Sequence, residues 1–477
     1  MDDITLVTTS AVNLGIRSIS AYLKSHGHSA RCVFLDQPET RIYEDRTLIG
    51  LERLCSDSQI VGVSGIQSTM HKTIQVISRL KRSDNTIIVG GYDSTLVPER
   101  YESADYICQG DGEKVMLDLV RRIEMRDAPT QRILPVVPVH DLNELPAEDY
   151  DCSSQFTISE EGGIVPLKRL LDYRNMRVNT KESLFYVASR GCPYRCTYCE
   201  EPRFMKIAGS KKPMRLKSPK KVIEDIGYIR SRHPEMERVY FVDAEFFSKP
   251  VDWIEEFSGS YREDISLPFW VFGHPAAVTG RKLALLVDAG LKELQMGIQS
   301  GSDKTRREDY QRNTPNEKII NTMKLIHQYG VLPSIDIIFD NPFENRDDLL
   351  QTINLLVELP KPFKLGSFGL EFLHGTPLAE RARQEGLLDA ESERNFNNRK
   401  VKRRENVYLN SLIRWMAGDC TTESLGIIPV SSVQYMTAPY IIDFMEDNPS
   451  FASTLDSIMR SYPELMYDRG MASQRNG

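Results

Sequence analysis

The sequence predicts an α/β protein in three parts, and three observations predict it. Over residues 1–125, short apolar runs alternate with segments of helical periodicity, the pattern of a Rossmann-like parallel sheet with helices on both faces. Over 183–385 the alternation returns as about six strand–helix units, enough for a partial (β/α)6 barrel. Between them, 126–182 reads as a linker, because Pro129, Pro135, Pro138 and Pro146 interrupt any helix. The remainder, 386–477, reads as a mostly helical region that packs on the barrel.

In the first domain, residues 4–8 read as a strand, and Ile16, Ile19 and Leu23 recur at helical spacing after Gly15. Further strands are expected at 31–35, 60–64, 86–89 and 104–108. Ile74, Ile77 and Leu80 mark the helix after the third strand, and Val115, Leu119 and Ile123 mark the last helix. Ligands of such sheets sit at the carboxyl ends of the strands. Those ends carry Ser10, Asn13, Leu14 and Gly15; Ser64, Gly65 and Gln67; Gly90 and Gly91; and Gly110, Gly112 and Glu113. Glycines there let the backbone turn tightly or approach a ligand closely.

In the second domain, strands are expected at 184–188, 239–242, 269–272, 293–298, 334–339 and 364–370. A barrel gathers its chemistry at the strand carboxyl ends. The first strand leads to Cys192, Cys196 and Cys199, the second to Asp243 and Glu245, and the third to His274. The fourth ends in Gln299 and Ser300, the fifth in Asp340, and the sixth runs towards Glu371 and His374.

A chain of 477 residues suggests two or three domains, and 40% hydrophobic with 27% charged residues is a globular composition. A net charge of −7 argues against a nucleic-acid surface. No apolar run approaches the ~20 residues of a membrane span. Two basic stretches, 211–221 and 399–404, read as solvated faces, although Arg215 is suited to an anionic group.

The C-x-x-x-C-x-x-C spacing of Cys192, Cys196 and Cys199 is the most specific signal. Three soft thiolates on one loop suit an iron–sulfur cluster, and three ligands on a four-iron cubane leave one iron open. A zinc site would need a second pair or histidines. The other cysteines, Cys32, Cys55, Cys108, Cys152 and Cys420, are scattered singly. Free thiols, an oxygen-sensitive cluster and the lack of a recognisable targeting segment predict a reducing cytoplasm.

Cys192-x-x-x-Cys196-x-Tyr198-Cys199 resembles the signature of the radical S-adenosylmethionine (SAM) superfamily. The resemblance implies a [4Fe-4S] cluster whose open iron is chelated by SAM and whose electron cleaves it to a 5′-deoxyadenosyl radical. It implies that Tyr198 lies beside the adenine and that either Asp243 or Glu245 contacts the methionine ammonium. Gln299-Ser300-Gly301 matches a Glu-Ser-Gly pattern that binds ribose and carboxylate, with an acceptor retained at Gln299. Arg312 aligns with a basic position that pairs with the SAM carboxylate, and Ile338 with the segment lining adenine. The usual Gly-x-Pro after that segment reads Asp340-Asn341-Pro342, which makes Asp340 a substrate candidate beside His274, Tyr310, Glu371 and His374.

The glycine-bearing loops, Gly90-Gly91 and Gly110-Asp111-Gly112-Glu113 above all, resemble the cobalamin-binding domain of cobalamin-dependent radical SAM enzymes. The Asp-x-His-x-x-Gly motif of histidine-ligated cobalamin is missing, and His26 and His28 lie at the far end of the following helix. Cobalamin is therefore expected without a protein histidine as its lower ligand. The implied activity is methylation of an unactivated carbon of a small-molecule, natural-product type substrate. In that scheme one SAM methylates cobalamin and another supplies the radical. The alternatives are a radical rearrangement or cyclisation with the same cofactors, a cobalamin-free N-terminal interaction domain, and an electron carrier. Expected partners are a small-molecule or peptide substrate and an external electron donor such as flavodoxin or ferredoxin, with no nucleic acid and no membrane span.

Overall fold

The computed structural model describes residues 4–10, 12–37, 42–168, 183–388 and 407–461. The basic stretch at 399–404 lies outside the described residues. The first domain runs β1 (Ile4–Thr8), α1 (Leu14–Ser25), β2 (Ala30–Phe34), α2 (Asp45–Leu54), β3 (Ile60–Ser64), α3 (Met70–Leu80) and β4 (Thr86–Gly90). It continues through α4 (Tyr92–Leu96), β5 (Tyr106–Ile107) and α5 (Glu113–Glu124). These strands lie parallel in the order β5-β4-β3-β1-β2, which puts the topological switch between β1 and β3.

Alternation along the strands builds two cores. Val7, Val33, Val61, Val63 and Val89 pack against Leu48, Leu51, Val76 and Ile77 of α2 and α3. The intervening Ile4, Leu6, Cys32, Ile60 and Ile88 pack against Ile16, Leu23, Val115 and Leu119 of α1 and α5. The stretch read as a linker supplies two more strands. β6 (Gln155–Ile158) adds in parallel beside β2, and β7 (Ile164–Pro166) folds back antiparallel to it. Both are too short to show periodicity.

The second domain contains β8 (Ser183–Tyr186), β9 (Ser189–Gly191), α6 (Glu201–Ile207), β10 (Met214–Leu216), α7 (Pro219–Arg232), β11 (Arg238–Phe241) and α8 (Val251–Ser260). It continues with β12 (Phe269–Gly273), α9 (Gly280–Ala289), β13 (Leu291–Gln299), α10 (Asn316–Gln328), β14 (Leu332–Phe339), α11 (Arg346–Glu358), β15 (Phe363–Gly369) and α12 (Pro377–Gln384). Six parallel strands, β8, β11, β12, β13, β14 and β15, form one sheet, and β16 (Gly418–Cys420) closes its far edge antiparallel to β15. β8 and β16 are separate edges, so the barrel is partial. Its core joins Phe241, Val271, Leu294 and Ile335 to Ile226, Ile254, Leu283, Met323 and Ile353 from the helices.

The expected strand at 184–188 stops at Tyr186, and the chain re-enters a sheet at β9, which pairs antiparallel with β10. The basic stretch 211–221 is not simply a solvated face: Arg215 and Lys217 turn inward because buried carboxylates receive them. The C-terminal region is helical with short strands. Its helix Val407–Trp415 sends Leu409, Leu412, Ile413 and Trp415 into the barrel core, with Met416 just beyond it, whereas Tyr435 and Tyr440 are exposed. No helix among the described residues is long and apolar enough to cross a membrane.

Candidate active site

The cysteine loop leaves β9 through Gly191, whose φ is 97°. A Cβ there would fall 2.3 Å from the Pro213 carbonyl oxygen, so this turn requires glycine. The loop is pinned from the opposite side of the barrel. Thr197 N–H donates to the Tyr310 carbonyl at 3.2 Å, and Leu378 N–H donates to the Thr197 carbonyl at 3.1 Å. Cys196 is buried, and Cys192 and Cys199 are half-buried. Burial pushes the Cys192 thiol up to about 11 and the Cys199 thiol up to about 12, so cluster binding must displace their protons. Among the described residues, no three His, Cys, Asp or Glu side chains are gathered as a metal-binding group, the three cysteines included.

Beside this loop, Tyr198 and Ile338 pack on one apolar group with Tyr310, Leu370, Phe372 and Leu378. The rings of Tyr198 and Tyr310 meet edge-on at 5.1 Å, which makes Tyr310 a buried wall of the slot. Arg312 donates from Nη1 to Cys196 Sγ at 3.5 Å and from Nη2 to the Gly297 carbonyl at 2.5 Å. Gln299 has a left-handed φ of 74° where the β13–β14 register shifts. Its amide folds over Gly297, where a Cβ would lie 2.0 Å from Nε2. Ser300 turns into the scaffold and donates to Glu344 Oε1 at 2.7 Å.

The two acidic residues after β11 are already engaged. Asp243 is fully buried, pairs with Lys249 at 2.8 Å, accepts from Ala188 N–H at 3.1 Å and accepts from the Ser189 hydroxyl. It therefore anchors the chain entering the cysteine loop. Glu245 accepts from the N–H groups of Phe247 at 3.0 Å and His274 at 3.1 Å, and from that of Ser248. His274 stacks on Tyr194 with ring centroids 3.9 Å apart. Its Nδ1 accepts from Ala276 N–H at 3.1 Å, which leaves the proton on Nε2, an atom that is buried without a partner. Burial and then Arg312 hold His274 down to about 3, so it is neutral at physiological pH.

Asp340 has a φ of 59°, and its N–H donates to Asn410 Oδ1 at 2.7 Å, tying the barrel to the C-terminal helix. Gln67 Oε1 accepts from His374 N–H at 3.1 Å, so that residue reaches the barrel domain. Glu371 is half-buried on the same segment.

A cavity of about 500 Å³ lies between the carboxyl ends of the first sheet and the cysteine-bearing face of the barrel. Asn13, Leu14, Gly15, Ser64, Gly65, Gly90, Gly91, Gly110, Gly112 and Glu113 line it from one side, and Ser189, Arg190, Glu201, Phe204 and Met205 from the other. Of the residues expected on this edge, Ser10 and Gln67 are outside the lining. Asn13 accepts from Ile16 N–H at 3.0 Å and donates to Ser64 Oγ at 3.0 Å, joining the two loops at the switch point. Gly91 has a φ of 102°, and a Cβ on it would sit 2.6 Å from the Gly65 carbonyl. Gly65 is packed as closely, since a Cβ on it would meet the Thr73 side chain at 2.1 Å, so these glycines let the strand-end loops stack tightly behind the cavity. His26 and His28 sit beyond the other end of α1, where His28 pairs with Glu124 at 3.3 Å.

Sequence reasoning missed Lys249, Arg190 and Glu148. The last lines the cavity while pairing with Lys217 at 2.9 Å. No local pattern marks Arg190 or Glu148, whose partners Asp111 and Lys217 lie 79 and 69 positions away, whereas Lys249 lies only six residues from Asp243.

A three-thiol loop at the mouth of a partial barrel, facing a glycine-lined open-sheet edge, defines an enzyme built round two cofactor sites. The model of the radical SAM superfamily matches residues 186–356, and that of the B12 binding domain matches 4–120. The chain thus carries a radical SAM domain over 186–356, with a B12-binding domain over 4–120 ahead of it. Among solved structures it resembles the radical S-adenosylmethionine methyltransferase TsrM from Kitasatospora setae, determined with cobalamin and a [4Fe-4S] cluster bound. That likeness has a TM-score of 0.60 at 16% identity and covers 81% of this chain and 76% of that one. It also resembles OxsB, a cobalamin-dependent S-adenosylmethionine radical enzyme, with a TM-score of 0.60 at 18% identity over 96% of this chain and 71% of that one. At these identities the likeness concerns the fold. The anaerobic magnesium-protoporphyrin IX monomethyl ester cyclase of Rubrivivax gelatinosus is 23% identical over 357 residues, 71% of this chain. The chain spans 60% of the length of that relative.

Proposed function

We propose that the chain is a cobalamin-dependent radical SAM methyltransferase acting on an unactivated carbon of a small-molecule, natural-product type substrate. The shared cavity carries this reading: the edge suited to a corrinoid and the strand leading to the cysteine loop open on one chamber. When bound, the cluster with SAM supplies a radical and the corrinoid a transferable methyl group; the protein positions and shields them.

Cys192, Cys196 and Cys199 hold the cluster in this reading, and Tyr198 and Ile338 flank the adenine. Gln299 faces ribose or carboxylate, with Arg312 beside Cys196. Asn13, Ser64, Gly65, Gly90 and Gly91 bear the corrinoid. His274 offers a neutral N–H donor, while Asp340, Glu371 and His374 are the substrate-facing candidates. Asp243 and Glu245 act by holding the strand ends in place. The domain limits 1–125, 126–182, 183–385 and 386–477 belong to this proposal, as do a flavodoxin or ferredoxin donor and a cytoplasmic location.

The test is anoxic reconstitution with iron, sulfide and cobalamin, followed by SAM and a reductant. Retention of one corrinoid per chain and formation of both S-adenosylhomocysteine and 5′-deoxyadenosine support the reading. The cyclase relative favours a second reading, a rearrangement or cyclisation with the same cofactors. In that case 5′-deoxyadenosine forms without S-adenosylhomocysteine.

A further inference from the structure

We propose that Gly110-Asp111-Gly112-Glu113 is an interdomain clamp, and that Arg190 is the positioning residue through which it sets the cysteine loop against the corrinoid edge. This rests on the two-cofactor reading and adds a role that strand-end position alone does not reveal. The acidic side chains of the segment face the barrel. Arg190 Nη1 lies 3.0 Å from Asp111 Oδ1, and its Nη2 lies 2.5 Å from Glu113 Oε1. The same Nη2 donates to Ser18 Oγ at 3.2 Å, and the Ser18 hydroxyl donates to Glu113 Oε1 at 2.6 Å. Arg215 reaches Asp111 Oδ2 at 2.5 Å, and that oxygen also accepts from Val139 N–H at 2.9 Å.

The glycines fit the same role. Gly110 has a φ of 79°, and a Cβ on it would lie 2.8 Å from the Cβ of Ala208, just past α6 in the barrel domain. A Cβ on Gly112 would lie 2.6 Å from Ile19 Cδ1 on α1. Gly110 thus permits close approach between domains, and Gly112 within one.

Charge explains why the set must stay together. Arg190 and Arg215 are direct partners in the antiparallel β9–β10 register. Like charges facing across a strand pair repel. Asp111 binds both guanidiniums and Glu113 adds a second negative charge, so the four groups balance. Three of the four side chains are at most 3% exposed, and Arg190 is 22% exposed. Separating the domains would strand the two arginines against each other. Two further contacts cross the same seam: Tyr92 stacks on Phe204 at 4.3 Å, and its hydroxyl donates to Glu201.

Arg190 lies one residue before the glycine that opens the cysteine loop. Whatever fixes β9 therefore fixes the approach of cluster to corrinoid, and a misplacement of about 1 Å costs reacting groups up to ~10²-fold.

Hydrogen exchange of the cofactor-free chain tests the clamp. In R190Q and in E113Q, exchange rises about tenfold or more at both 106–113 and 189–191, on opposite sides of the seam. R190K, which keeps the charge, recovers part of the protection. A rise confined to the segment bearing the substitution overturns the clamp. In the loaded chain, pulsed electron paramagnetic resonance reads the distance between cob(II)alamin and the reduced cluster. In chains that carry both cofactors, R190Q broadens that distribution; an unchanged distribution overturns the positioning role. A wild type that takes up no corrinoid sinks the two-cofactor reading instead, and the exchange measurement still decides the clamp.

Discussion

Lys249→Met removes one half of an ion pair in which both side chains are 0% exposed. Methionine keeps much of the lysine stem, so the loss is electrostatic and includes the ammonium's contacts over the Phe246 and Trp253 rings. Asp243 is left with two neutral donors, Ala188 N–H and the Ser189 hydroxyl, for a carboxylate out of reach of water. Removing one partner of a buried pair costs about 3–5 kcal/mol. Against a total stability of about 5–15 kcal/mol, that is a large fraction. The strain falls on residues 188 and 189, immediately before the cysteine loop, so iron retained after anoxic reconstitution falls as well. Denaturant unfolding of the single variant and of the Lys249→Met, Asp243→Asn pair measures the effect, because the double change removes both charges and regains most of the loss. A single-variant cost below ~1 kcal/mol, or a double variant as unstable as the single, refutes the reasoning.

Arg312→Gln removes a charge-assisted N–H···S bond to Cys196, so the cluster potential moves negative by about 60 mV if the bond is worth ~1.4 kcal/mol. A redox titration followed by electron paramagnetic resonance checks this. Gly91→Ala forces a Cβ against the Gly65 carbonyl at positive φ, costing about 1–3 kcal/mol locally and weakening corrinoid retention, read in the visible spectrum, by about 5- to 150-fold if the strain falls on the site. Burial pushes Glu344 from 4.5 up to about 8. The folded state therefore binds more protons than the unfolded one between these values, and stability falls as pH rises through that window. Glu344→Gln keeps the Ser300 partner and flattens that slope, by a few kcal/mol across the window, in unfolding curves from pH 5 to 9.

Contiguous signals were legible. The run at 60–64 carries the β-branched Ile60, Val61 and Val63 because it is covered on both faces, and it forms β3 at those bounds. The cysteine triad shows itself because all three thiols belong to one loop. Tyr198 and Ile338, 140 positions apart, were reached through resemblance, and folding brings them onto one apolar group. Less was legible where a residue takes its meaning from a distant partner. Arg215 read only as suited to an anionic group, and folding supplies Asp111, 104 positions away. β6 and β7 escaped because strands of four and three residues carry no measurable period.

Sequence alone thus determined the alternation that builds two parallel sheets, the strand ends where chemistry gathers, and the thiol spacing. Periodicity and ligand spacing are properties of neighbours along the chain. Tertiary structure decided which carboxylates remain available and which lock the scaffold, and how the two domains face each other across Arg190, Asp111 and Arg215. A buried charge is tolerated only beside its counter-charge, and the fold alone chooses that neighbour.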